Sequence, residues 1–368
     1  MNIIKNLSST AKSNIFTYGL VIVGYIVIQI LSLTGSLTYS LQGLLIPVCA
    51  WVIMAISLTL TVGIMGDLSL GHAGFMSVGA FTGIIALISL ESVIPLVGLR
   101  VIVSMLTGAL CAGFVGVLVG IPVLRLRGDY IAIVTLAFGE IIKNIVTCIY
   151  VGLDNAGLHF GFLLSSGISE LNLGEGARAI VDGPQGLLNI PNKIVTFSMG
   201  FILILVTLFI ILNLVNSRTG RAIMALRDNR IAAESVGIPV TKYKLIAFVT
   251  SAALAGAAGT LFAMNFSTVV ASQFNYLASI QVLVFVVLGG LKNFWGAIIA
   301  AILLTVLPES LRFLDEYRLL IYGILLVLVM HGTYSNIRHT ILRFFRFLIP
   351  KISSLIPKKR NKEGAGGQ

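Results

Sequence analysis

Runs of about 20 apolar residues, the length a helix needs to cross a bilayer, recur along this chain and leave little room for another architecture. They lie near 15–33, 44–63, 73–90, 101–122, 130–150, 197–216, 246–265, 277–290, 294–308 and 318–332. The expected fold is therefore an all-α polytopic membrane protein of about ten passes. Composition agrees. Only 11% of the 368 residues are charged and 57% are hydrophobic, against about one quarter charged in soluble domains, and the mean hydropathy is +1.01. The first run follows Lys5 and Lys12 and lacks a small-residue cleavage pattern, so it reads as a retained span and not a signal peptide. Cys49, Cys111 and Cys148 lie far apart in apolar runs without metal spacing, and read as small buried hydrophobes.

An even number of passes puts both termini on one side, and charge says which. Lys5, Lys12, Arg125, Arg127, Lys292 and the basic tail from Arg338 to Lys362 share a side with the polar stretch Arg218–Lys244; Arg100, Arg178, Lys193, Arg312 and Arg318 fall opposite. Lys and Arg concentrate in loops that stay inside, so the N and C termini are expected in the cytoplasm. The net charge of +11 then reflects topology, not a nucleic-acid partner. The expected organisation is a cytoplasmic segment 1–14, a transmembrane domain 15–332 and a basic tail 333–368 placed along the inner leaflet. The domain contains an extracellular loop 151–194, with the turn signature Asp182–Gly186, and a cytoplasmic loop 217–245.

That cytoplasmic loop is the longest strongly polar run in the chain, and such a run is tolerated only outside the hydrocarbon. It carries Arg218, Arg221, Arg227, Arg230, Lys242 and Lys244, with Ile223, Leu226, Ile231, Val236 and Ile238 at helical spacing. Two weaker spans are broken by glycine, at GDLSLGHAG (Gly66–Gly74) and GGLKNFWGA (Gly289–Ala297). Non-helical backbone at membrane depth survives only where it lines a cavity or is covered by protein. One such break in each half of a chain points to a transport site; tight inter-helix turns are the plain alternative. The candidate path residues are Ser69, His72 and Gly74 in the first break, and Gly289, Gly290 and Asn293 in the second.

Asp67, Ser69 and His72 invite a hydrolase reading, but they sit five residues apart in one local turn, whereas triads are assembled from distant segments. Hydrogen bonding to broken-helix backbone is the expected role. Glu140 and Lys143 lie three residues apart on one face in mid-span, where charges are costly. A mutual pair packed against a neighbouring helix is expected, and Glu140 would be the coupling acid if the chain were a gradient-driven carrier. Asp129 reads as the N-cap of the same span. No phosphate-cradling glycine loop is present. The chain therefore needs a partner ATPase, runs on a gradient, or is passive.

The motifs decide among these. Ala232-Ala233-Glu234-Ser235-Val236-Gly237 resembles the E-A-A-x-x-x-G element by which permease subunits of ABC importers dock a short helix into an ATPase, with Ile231 in place of the leading acid. The segments Ser69–Phe81, Leu124–Lys143, Gly220–Ala263, Leu288–Ala297, Leu307–Arg312 and Tyr317–Met330 are similar, in this order, to the branched-chain amino-acid ABC permease family, in its M-type member. One departure is Val270–Phe274, which lacks the proline of an S-P-x-x-F-like element. The resemblance implies a multi-pass subunit of the bacterial plasma membrane that is no enzyme and binds no cofactor itself. Its implied partners are a second permease of the same fold, two cytoplasmic ATP-binding subunits that use ATP and Mg, and an extracellular binding protein delivering leucine, isoleucine or valine. Relatives carrying urea or short amides are the alternative. Ala232, Ala233, Glu234 and Gly237 are then the docking residues, with Arg221, Arg227 and Arg230 facing acidic rims on the ATPase.

Overall fold

The computed structural model describes residues 9–34, 39–126, 128–154, 157–162, 171, 177–191, 194–310, 323, 324 and 327. Helices α1 (Ser9–Leu33), α2 (Tyr39–Leu58), α3 (His72–Ser89), α4 (Val97–Val123) and α5 (Asp129–Thr147) come first. Strands β1 (Ile149–Asp154), β2 (Gly157–Phe162) and β3 (Arg178–Asp182) follow, then α6 (Phe197–Asn216), α7 (Arg218–Asp228), α8 (Arg230–Ser235), α9 (Val240–Ala263), α10 (Tyr276–Gly289) and α11 (Phe294–Ser310). Nine of the expected spans fall on helices. Among the described residues, six helices are long and apolar enough to cross a membrane: α2 with the turn that extends it to Met65, α3, α4, α5, α6 and α9. The apolar stretches of α1, α10 and α11 are shorter. The expected span 318–332, apart from 323, 324 and 327, and the tail 333–368 lie outside the described residues, as do residues 1–8.

The centre of the bundle is α3, α4 and α9, with α2 beside them. These helices meet backbone to backbone because small residues line their contacts. A Cβ on Gly79 would lie 2.1 Å from the Gly256 carbonyl oxygen, and one on Gly259 only 1.9 Å from that of Met76. A Cβ on Gly256 would press on Ala112 at 2.4 Å. Thr260 Oγ1 donates to the Gly79 carbonyl at 2.8 Å, which adds a polar tie where the helices cross. In lipid no hydrophobic force brings helices together, so close van der Waals approach and such bonds must hold them. The outer faces of α4, α5 and α6 stay apolar and exposed, with Leu110, Phe114, Ile133 and Phe209 standing out, as a lipid-facing surface requires.

Ion pairs identify the two ends of the bundle. Arg100 and Arg178 both approach Glu91, at 3.8 and 3.5 Å, which places the α3–α4 turn beside β3. Lys244, at the start of α9, reaches Asp67 in the break before α3 at the other end. The positive charges assigned to the outer side thus include two that gather together, away from the Arg218–Lys244 loop.

Two expectations need correction. The fold is mostly helical but not all-α: part of the loop 151–194 is an antiparallel three-stranded sheet in the order β2-β1-β3. Strand β2, GLHFGF, carries two glycines and no β-branched residue, so its sequence resembles a solvated loop; pairing with β1 supplies what propensity does not. A bridge from Leu187 to Val269 ties this region to the segment after α9. The N-cap of α5 is Gly128 at φ +59, not Asp129, which instead places its charge in the first helical turn.

Close packing at Gly259 generates a test. Gly259→Ala forces the α3–α9 contact apart and is expected to cost about 1–3 kcal/mol, read as a fall of several degrees in thermal unfolding in detergent. Gly98→Ala, where only Met199 lies at 4.0 Å, should leave the transition unchanged or raise it slightly.

Candidate functional site

Helix α2 does not stop at Leu58. It widens into a π-helical turn, Thr59–Met65, closed by Gly66 in the left-handed conformation at φ 84. Residues 67–71 are irregular, and α3 begins at His72. A helix end leaves terminal carbonyls without internal partners. One of these, Gly63 O, accepts a hydrogen bond from Arg227 Nη1 of α7 at 2.9 Å. The arginine stem lies across Gly66, where a Cβ would meet it at 2.5 Å. Gly63 is also pressed against the second break: a Cβ there would sit 1.6 Å from the Leu291 carbonyl oxygen. The second break is itself a tight turn between α10 and α11. Gly290 has φ 94 and its carbonyl accepts from Asn293 N at 2.8 Å, while Gly289 packs on Gly296 and Ala297. The π-helical turn that leads into the first break therefore touches the second.

The polar loop is two helices, not one. Asn229 turns the chain at φ −153, ψ 100 and its side chain accepts from Ala232 N at 3.0 Å, starting α8 as a new helix. This reset changes which apolar residues face inward. Ile223, Leu226 and Ala233 are buried, with Ala233, Leu226 and Val240 forming a small cluster under Ile238 and Tyr243. Ile231 and Val236, apolar positions at the same helical spacing, are 80% and 74% exposed. Helix α8 ends as a Schellman motif: Gly237 takes φ 83, Gly237 N bonds Glu234 O, and Ile238 N bonds Ala233 O. Arg230 pairs with Glu234 at 2.9 Å. Among the predicted docking residues, Arg221, Ala232, Glu234 and Gly237 are exposed. Ala233 faces inward. Arg227 is turned inward too, its guanidinium bonded to Gly63 O and to Asp228. A shallow groove of about 450 Å³ runs along Arg230, Glu234 and residues 237–241.

The path residues of the first break are deep in the protein. Ser69 and His72 are each 1% exposed. His72 Nε2 lies 2.8 Å from Ser57 Oγ of α2 and 3.5 Å from Ser251 Oγ of α9, so it joins three helices. Asp67 is directed to Lys244, whose Nζ donates to both carboxylate oxygens at 2.6 and 2.8 Å. Asp67 and His72 thus serve different side-chain partners and not the broken-helix backbone, and Ser69 Oγ is buried with no hydrogen-bond partner among the described residues. Gly74 packs on Gly139, and Gly71 on the Thr135 carbonyl, seating the start of α3 on α5. The Asp67–Lys244 pair, with side chains 13% and 10% exposed, escaped the reading of the sequence, because its partners are 177 residues apart. The one signal for it was an acid in a break that has no base of its own.

Glu140 and Lys143 do form the expected pair. Glu140 also accepts from Tyr276 N at 2.8 Å, capping the first turn of α10. Helix α10 has 14 residues, about 21 Å at 1.5 Å per residue, too short for a 30 Å core. The cap satisfies one of the N–H groups that a helix start leaves without an internal partner.

The sequence profile described as branched-chain amino acid transport system / permease component matches residues 40–330. The chain is 37% identical over 294 residues to the high-affinity branched-chain amino acid transport system permease protein LivM of Escherichia coli, covering 76% of this chain and 65% of that protein. It is 24% identical over 253 residues to a probable branched-chain amino acid permease LivM of Methanocaldococcus jannaschii, covering 64% and 68%. It is 26% identical over 337 residues to the L-arabinose ABC transporter permease protein AraH of Azospirillum brasilense, covering 86% and 88%. No solved structure matches the chain.

Capping of α10 by Glu140 can be measured directly. Glu140→Ala removes the cap and strands Lys143, and is expected to cost about 1–3 kcal/mol. Glu140→Gln retains an acceptor for Tyr276 N and should lose less of the unfolding temperature in detergent.

Proposed function

The chain belongs to the branched-chain amino acid permease family, and from that membership we propose that it is the membrane-spanning subunit of an ATP-driven importer for leucine, isoleucine and valine. In this reading it sits in a bacterial inner membrane with both termini and the α7–α8 element in the cytoplasm. It works with a second permease of the same fold, two ATP-binding subunits that consume ATP and Mg, and an extracellular binding protein. The substrate rests on the 37% identical relative, since the family also includes an arabinose permease.

The observation that carries the reading is α8. Two large apolar side chains stand exposed, Ile231 beside Arg230 on the short helix α8 and Val236 at its C-cap. Exposed apolar surface rimmed by polar groups marks a protein contact. The occupant proposed for it is the ATP-binding subunit, with Ile231 and Val236 as the apolar contact and Arg221, Arg230, Ala232, Glu234 and Gly237 around them. Ala233 contributes by seating α8 on Leu226 and Val240. The absence of any phosphate-cradling loop from the sequence supports an energy source outside the chain. Ser69, His72 and Gly74, with Gly289, Gly290 and Asn293, belong to two breaks linked through the Gly63–Leu291 contact, and we assign them to the part of the path that opens when access alternates. An ATP-driven switch requires the ATP-binding subunits to favour one state over the other.

Uptake by proteoliposomes holding the assembled transporter tests this. Leucine accumulation should require ATP inside the α8 compartment; ATP-independent uptake by the chain alone would sink the proposal. Gly237→Val should cut ATP-driven uptake by about tenfold or more while membrane insertion is unchanged, since a β-branched residue resists φ 83 by about 1–2 kcal/mol without meeting any neighbour.

A further inference from the structure

The α7–α8 element has an inward side as well as an exposed one, and the residues flanking α8 hold the first glycine break and the turn leading into it at two points. Arg227, on the last turn of α7, grips Gly63 O. Lys244, on the first turns of α9, grips both oxygens of Asp67. Helix α8 lies between these two cations in sequence, so it is anchored before and after to residues 63–67. Two grips on a stretch of five residues transmit rotation as well as translation, which one contact would not. Both are shielded from water: the Arg227 side chain is 17% exposed, and the Lys244–Asp67 pair less. A cavity of about 210 Å³ beside them, walled by Met65, Gly66, Leu126 and Ile131 among others, leaves the stretch room to move. The gripped residues also abut the second break through Gly63 and the Leu291 carbonyl. A shift of α8 that carries Arg227 and Lys244 with it therefore moves residues 63–67 and presses on the second break.

We propose that Arg227 and Lys244 are the transmission residues of the transporter, converting displacement of α8 by the ATP-binding subunit into movement of the two glycine breaks through Gly63 and Asp67. The proposal rests on the importer reading above. It makes Arg227 and Lys244 positioning residues, acting through the breaks and not on the solute.

The test measures ATP hydrolysis and leucine uptake in the same proteoliposomes of the complete transporter. Lys244→Met and Arg227→Met keep an apolar stem and remove the grip. Each is expected to lower the leucine moved per ATP hydrolysed by on the order of tenfold, within the usual range of coupling between sites, while hydrolysis continues. Exchanging the pair, Asp67→Lys with Lys244→Asp, should restore most of that ratio. A merely structural pair would lower hydrolysis and uptake together, in step with the amount of assembled complex, and that result overturns the proposal; so does an unchanged ratio in either single variant. Wild-type uptake that needs no ATP would instead refute the importer reading, so the two failures are distinguishable.

Discussion

Close approach of backbones is the constraint on which this bundle depends. In a membrane the bilayer is as apolar as the side chains, so burying leucine against leucine gains little over leucine against lipid. What remains is contact area and the few polar bonds between helices. Gly79, Gly256 and Gly259 remove the side chains that would hold α3, α4 and α9 apart, and Thr260 then reaches the exposed carbonyl of Gly79. Every other feature is positioned by this centre. Helix α2 lies along it, His72 is pinned between α2 and α9, and α5 is drawn onto α3 through Gly71, Gly74 and Gly139.

The same lack of water governs the helix ends. A carbonyl or N–H group left without an internal partner inside the membrane region must find one on another element. Gly63 O is met by a guanidinium and Tyr276 N by a carboxylate. The charged residues that look anomalous in an apolar sequence are thus engaged by the irregular places where helices break or start short. This accounts for Glu140 without assigning it a proton. Its carboxylate neutralises Lys143 and caps α10, two structural tasks that one side chain performs at once.

The sequence was most legible where a single physical rule acts along the chain. Continuous apolar runs gave nine helices within a few residues of their positions. The glycine breaks, the Glu140–Lys143 pair and the permissive stop at Gly237 were also readable, since each depends on neighbours a few residues away. The sequence failed where partners are distant. The Asp67–Lys244 pair, the Arg227 bond to Gly63 and the contact of Gly63 with Leu291 join segments that no local pattern relates. Helical spacing in the polar loop did not say which apolar residues are buried, because the Asn229 side chain starts a new helix and Ile231 and Val236 end up exposed. It was silent for the sheet, whose strands become strands by pairing with one another.

By itself, then, the sequence determined that the chain is a membrane helical bundle, where its helices lie, and to which family it is similar, because hydrophobic length and local motifs are properties of consecutive residues. Only the tertiary structure decided what the charges do. It brought the turn before the first break against the second at Gly63, turned Arg227 and Lys244 of the polar loop inward to hold that turn and Asp67, and left Ile231 and Val236 facing out. Those outcomes depend on which helix ends arrive at the same end of the bundle, and glycine-mediated packing between helices distant in sequence sets that arrangement.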